Sequence, residues 1–134
     1  MAQFSKTDAW ILWSVATDHA GSTLTDIIAR ADFVNHAIPN REEVEAAVSK
    51  GLQVGLLLSD GRFVRYAPDR VDEVKKVVAK SRRAFDSWSD LHGFLAKRDW
   101  PRVCSSTLRI DDEAMQSAYS SYLNMMKSKK SPNR

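Results

Sequence analysis

Leu56-Leu57-Leu58-Ser59-Asp60-Gly61-Arg62-Phe63-Val64-Arg65-Tyr66 sets two short apolar runs about an Asp-Gly pair. Asp-Gly between apolar runs is a strong short-range hairpin signal, because a tight reversal needs residues that tolerate positive φ and glycine does so at no steric cost. A hairpin over 56–66 is therefore expected, and it constrains the chain sharply. Everything before it carries helical periodicity, so the only β structure predicted is one small ribbon set against helices.

Three helix starts precede the hairpin. Ser5 with Asp8, Thr23 with Asp26 and Asn40 with Glu43 each place a capping side chain three residues before a carboxylate, the reciprocal arrangement that satisfies two orphan backbone donors. The spacing predicts helices over about 5–18, 23–35 and 40–54. The first is apolar almost all round through Ala9, Trp10, Ile11, Leu12, Trp13, Val15 and Ala16, so it must be covered on more than one side. The second carries one stripe, Leu24, Ile27, Ile28, Ala31 and Val34, and ends before Pro39, whose ring disfavours the α region at Ile38. The third turns Val44, Ala47, Val48 and Leu52 inward and ends near Gly55.

After Pro68 a long helix is expected. Val71, Val74, Val78, Ser81, Phe85, Trp88, His92 and Leu95 alternate in steps of three and four, a heptad seam interrupted by one serine and one histidine. Asp99-Trp100-Pro101 stops it, and Val103 to Ile110 reads as an irregular or extended connection. Trp100, beside the proline, is the tryptophan expected to be exposed. A last helix over about 111–127 begins on Asp111, Asp112 and Glu113 and lines one face with Met115, Ala118, Tyr119, Tyr122 and Met126. Residues 128–134, rich in lysine and without apolar side chains, are expected to be a disordered basic tail.

The fold class is thus mainly α with a small β-hairpin. The order helix, helix, turn, helix, hairpin is that of a winged helix-turn-helix, followed here by a long helix and a C-terminal helix. The run from Leu24 to Pro39, with Glu42-Glu43 and the later Gly55-Leu56-Leu57, resembles a group of uncharacterised bacterial winged-helix proteins, over about half the chain. The resemblance implies the architecture and brings no assigned reaction. The domain reading is a winged-helix core over 1–67, a helical extension over 68–127 that serves dimerisation, and the tail.

Charge decides how such a domain could be used. Residues 1–61 hold 4 basic and 8 acidic side chains, whereas residues 62–98 hold 10 and 5, so the net charge of +3 is concentrated on the hairpin, the long helix and the tail. In a helix-turn-helix the second helix of the motif places its N-terminal residues against base edges. Here that helix turns Arg41, Glu42, Glu45, Ser49 and Gln53 outward, with Lys50 beside them, and its carboxylates stand where phosphates would approach. Arg62 and Arg65 on the wing, with Arg70 and Lys76 on the following helix, form the better phosphate-tracking surface. The nucleic-acid candidates are accordingly Arg41, Lys50, Arg62, Arg65, Arg70 and Lys76. The candidates for a homodimer interface are Trp10, Trp13, Val74, Val78, Phe85 and Trp88, because an all-round apolar first helix and a heptad seam both need covering.

No constellation for catalysis, metal or cofactor stands out. Cys104 is the only cysteine, His19, His36 and His92 lack ligand spacing, and neither a Gly-rich phosphate loop nor a nucleophile elbow occurs. One cysteine, no secretory signal and no apolar run near the roughly 20 residues of a membrane span lead to the expectation of a cytoplasmic protein. The leading functional expectation is a non-enzymatic, DNA-associated regulator that contacts the backbone through wing and basic helix. The alternative is a protein–protein interaction module of the same fold without DNA binding.

Overall fold

The computed structural model describes residues 3–130. Helix α1 (Lys6–Trp13) begins on Ser5, whose hydroxyl accepts the Asp8 N–H while the Asp8 carboxylate accepts the Ser5 N–H. Helices α2 (Leu24–Asn35) and α3 (Arg41–Gln53) start on the same reciprocal boxes at Thr23/Asp26 and Asn40/Glu43. All three predicted starts hold. The end of α1 differs: it stops at Trp13 rather than near residue 18, because the Ser14 hydroxyl donates back to the Trp10 carbonyl and the Ala16 N–H turns away to the Ser22 hydroxyl.

Strands β1 (Leu57–Ser59) and β2 (Val64–Tyr66) form the expected hairpin, paired Leu57 to Tyr66, Leu58 to Arg65 and Ser59 to Val64. Its turn is fixed by Asp60, whose carboxylate accepts the N–H groups of Arg62 and Phe63. An antiparallel bridge joins Ser22, between α1 and α2, to Val64. The molecule is mainly helical with one small hairpin, and no helix among the described residues is long and apolar enough to cross a membrane.

The long helix predicted over 71–95 is two helices, α4 (Val71–Val78) and α5 (Ala84–Ala96). A continuous helix of that length would span about 37 Å and carry half its apolar stripe beyond a core this small. The chain instead folds back after Val78. The Ser87 hydroxyl donates to the Val78 carbonyl that α4 leaves open, and the Ser81 hydroxyl donates to the Asp90 carboxylate, so one serine in the break and one on α5 hold the reversal together. Folding back lays α5 along α1. Trp88 packs on Trp10 with ring centroids 6.3 Å apart and donates its indole N–H to the Lys6 carbonyl.

One continuous core therefore runs from Phe4, Trp10 and Leu12 through Val44 and Val48 to Trp88, Leu91 and Leu95. Trp100 belongs to it. This residue, expected at the surface, is buried edge-on against Phe4 and Phe94 and donates its N–H to the Leu95 carbonyl. Helix α5 has already ended at Ala96, so the backbone before Pro101 is free to turn the Trp100 side chain inward.

Helix α6 (Asp112–Lys130) lies on α2, with Ala118 and Tyr122 buried against Ile28. Residues 128–130, expected to be disordered, continue this helix because nothing before Pro132 opposes it; the rest of the proposed tail, 131–134, lies outside the described residues. The Tyr122 hydroxyl donates to the Asp32 carboxylate. Burial, then that hydrogen bond and the Asp32 charge, push the Tyr122 hydroxyl up from its ordinary 10.0 to about 12. A folded-state value above the unfolded one means a stabilising contribution that is complete below pH 10 and is lost as pH rises from about 10 to about 12. Alkaline titration followed by circular dichroism is expected to show destabilisation across that window, and Tyr122→Phe to remove this part of it.

Candidate functional site

The outward row of α3 is Arg41, Glu45, Ser49 and Gln53, spaced by one helical turn each. Each of the four is met by the chain's own extended segment between Pro101 and Asp112, which runs antiparallel to α3. The Val103 N–H donates to the Gln53 carbonyl at 2.7 Å, the Leu108 N–H to the Ser49 hydroxyl at 2.9 Å and the Ile110 N–H to the Glu45 carboxylate at 2.5 Å. Asp112 then pairs with Arg41 at 2.7 Å.

Residues 101–107 and Arg109 are exposed to water, but where the segment turns inward, at half-buried Leu108 and buried Ile110, its N–H groups need acceptors within the chain, and the polar helix row offers them. Ile110 is buried beneath the strap, which fixes the register, and the Cys104 thiol sits 3.2 Å from the Leu52 carbonyl. Residues 101–112 thus run along the outer row of α3, while Glu42 and Ala46 beside that row stay exposed.

Electrostatics at the start of α3 follows the same contacts. Asp112 and then Glu42 hold the Arg41 guanidinium above its ordinary value, and a backbone hydrogen bond followed by Arg41 holds the Glu42 carboxyl below its own. Arg41 is thereby committed within the chain. Lys50 turns away from the outer face to pair with the buried Asp8 carboxylate at 2.6 Å and to donate to the Gln3 carbonyl. Arg70 pairs with Glu73 and lies over the Trp100 ring. These three of the six predicted nucleic-acid contacts serve the fold. The other three, Arg62 and Arg65 on the hairpin and Lys76 on α4, form no ion pair among the described residues.

The six residues expected to cover a second copy are placed mostly inside. Trp10, Val74 and Trp88 are buried in the chain's own core, and Trp13 donates its indole N–H to the Ser87 hydroxyl beneath the Arg30 guanidinium. Val78 is half-buried, and Phe85, half exposed, is the one large ring of the set that faces solvent. Their placement has a single cause: once the seam folds back at residues 79–83, α5 supplies in the same chain the cover that α1 requires.

Among the described residues no group of three His, Cys, Asp or Glu side chains is placed to hold a metal ion. Cys104 is exposed, and hydrogen bonds from the Ser106 backbone and side chain lower its pKa. Sequence reasoning missed the strap residues Leu108, Ile110 and Asp112; its only signal is an apolar, β-branched run between a proline and a helix start. No family model matches the chain, and neither a curated protein nor a solved structure is significantly similar to it.

Proposed function

We propose that this chain is a non-enzymatic binding module of winged-helix type whose partner is a protein, rather than duplex DNA read by its third helix. The helix order, the hairpin and the Ser22–Val64 bridge are compatible with the winged-helix-like arrangement. The observation that carries the functional reading is the strap. To enter a major groove, α3 would have to lose its bonds to Leu108 and Ile110, part Arg41 from Asp112 and expose the Ile110 side chain, only to turn Glu42 and Glu45 toward phosphates.

A protein partner is supported by large apolar side chains left in water. Phe33 is 70% exposed and Phe85 50%. Ile38 lies between two shallow grooves, one lined by Phe85 and Trp88 and the other by Met115 and Tyr119. Aromatic and methionine side chains at a surface are the composition that interface cores favour. A second copy of the chain is one partner that suits this face, and light scattering at micromolar concentration reads that case directly.

Fluorescence anisotropy with labelled duplex DNA, repeated at several salt concentrations, tests the reading. No binding is expected even at low salt. Binding with a steep salt dependence that Arg62→Ala and Arg65→Ala reduce would overturn it in favour of backbone contact through the wing.

A further inference from the structure

A groove of about 490 Å³ lies between the hairpin, the start of α2, the strap and α6, within the range of small-molecule sites. Its lining contains no carboxylate, in a chain with 17 acidic residues, yet it holds two arginines from different walls: Arg62 from the hairpin and Arg109 from the strap. Neither forms an ion pair among the described residues; the Arg62 guanidinium lies 5.5 Å from the centre of the Phe63 ring. Of the carboxylates on the same elements, Asp60 accepts the N–H groups of Arg62 and Phe63, Asp26 that of Thr23 and Asp111 that of Ala114, and Asp112 pairs with Arg41. Thr23, Thr25, Ser117 and Ser121 add hydroxyls, and Ile27 and Val64 form an apolar floor.

We propose that this groove binds a small phosphate monoester whose ester group is short and apolar. Guanidinium groups on two walls suit a dianion with three terminal oxygens, which can accept from both at once, better than a carboxylate with two oxygens and one charge. The hydroxyls supply further donors, and Leu24 and Thr25, the first residues of α2, whose N–H groups no intrahelical carbonyl reaches, are also among the lining residues. The apolar floor takes the ester group. This site is separate from the protein-binding face proposed above, so either reading can fail alone.

Amide chemical-shift titration of the full chain with butyl phosphate tests it, with inorganic phosphate and butyrate as the two comparison arms. Saturable shifts are expected at Thr25, Gly61, Arg62 and Arg109. Inorganic phosphate, lacking the ester group, is expected to bind about tenfold or more weakly, from roughly 0.8 kcal/mol per buried methylene, and butyrate more weakly than butyl phosphate. Arg62→Gln and Arg109→Gln are each expected to weaken butyl phosphate about tenfold or more, the scale of one charged hydrogen bond. Both side chains are exposed, and the remainder of each variant's spectrum reports whether the fold is kept. Absence of saturation with butyl phosphate, or a folded double variant that binds as the parent does, would overturn the site. Equal affinity for butyl phosphate and inorganic phosphate, or for butyl phosphate and butyrate, would overturn the ligand class.

Discussion

Replacing Trp88 with alanine is expected to destabilise the protein by about 3–5 kcal/mol, the range for removing a large aromatic side chain from a packed core. Trp88 is buried, touches Trp10 and Phe85, lies under the Lys6 ammonium and donates its indole N–H to the Lys6 carbonyl. Its loss removes the lid from α1, a helix apolar on nearly every side, and leaves the Lys6 carbonyl without that donor. Against a total stability of roughly 5–15 kcal/mol for a domain, the variant would lie close to its unfolding threshold at room temperature. Urea unfolding measures this. Because the cover comes from α5 of the same chain, the parent is expected to stay folded at dilutions where light scattering shows a single copy; loss of the folded state on dilution into that range would return the seam to an interface between copies.

Gly21→Ala is expected to cost about 3 kcal/mol, far more than a methyl group alone suggests. Gly21 has φ of +81°, and a Cβ there would lie 2.6 Å from the Val64 carbonyl oxygen and 2.9 Å from the Arg65 Cβ. Strain in the left-handed region accounts for about 1–2 kcal/mol of the cost. The remainder comes from the clash, which must push β2 away and break the bridge in which Ser22 and Val64 exchange both N–H···O bonds. Gly61 provides the contrast. Its φ is +95°, but a Cβ added there would meet no atom within 4 Å, so Gly61→Ala is expected to cost about 1–2 kcal/mol from backbone strain alone. Thermal melts of the two variants separate conformational strain from close approach.

What the residues reveal unaided is local. The three capping boxes and the Asp-Gly turn each depend on side chains within three residues of the backbone groups they satisfy, and each forms where expected. The seam from Val71 to Leu95 reads as one helix because steps of three and four are the same for one long helix and for two helices that fold back onto one core. The serines that mark the reversal act at a distance, Ser87 on Val78 and Ser81 on Asp90, both nine residues apart in sequence. Trp100 reads as exposed because its neighbour Pro101 reports on the backbone, whereas its burial depends on Phe4 at the other end of the chain.

The strap is the least legible part, and it bears most on function. Leu108 meets Ser49 across 59 residues and Ile110 meets Glu45 across 65. No periodicity within 101–111 reveals that these N–H groups have found acceptors. The outward row of α3 is polar and acidic, as its sequence indicates, but its carboxylate and hydroxyl face the same chain rather than DNA. Glu45 and Ser49 are better understood as acceptors for the N–H groups of Ile110 and Leu108, the two residues of the segment that turn away from water.

Amide hydrogen exchange at Leu108 and Ile110 tests that account most directly. Both N–H groups lie in a segment without regular secondary structure, where unprotected amides exchange at the rate of an unfolded peptide. If residues 101–112 close the outer face of α3, the two amides exchange slowly, together with one another and in step with the outer turns of α3, and Glu45→Ala accelerates Ile110. Exchange of both at the unfolded-peptide rate in the parent protein would contradict the account and leave α3 open.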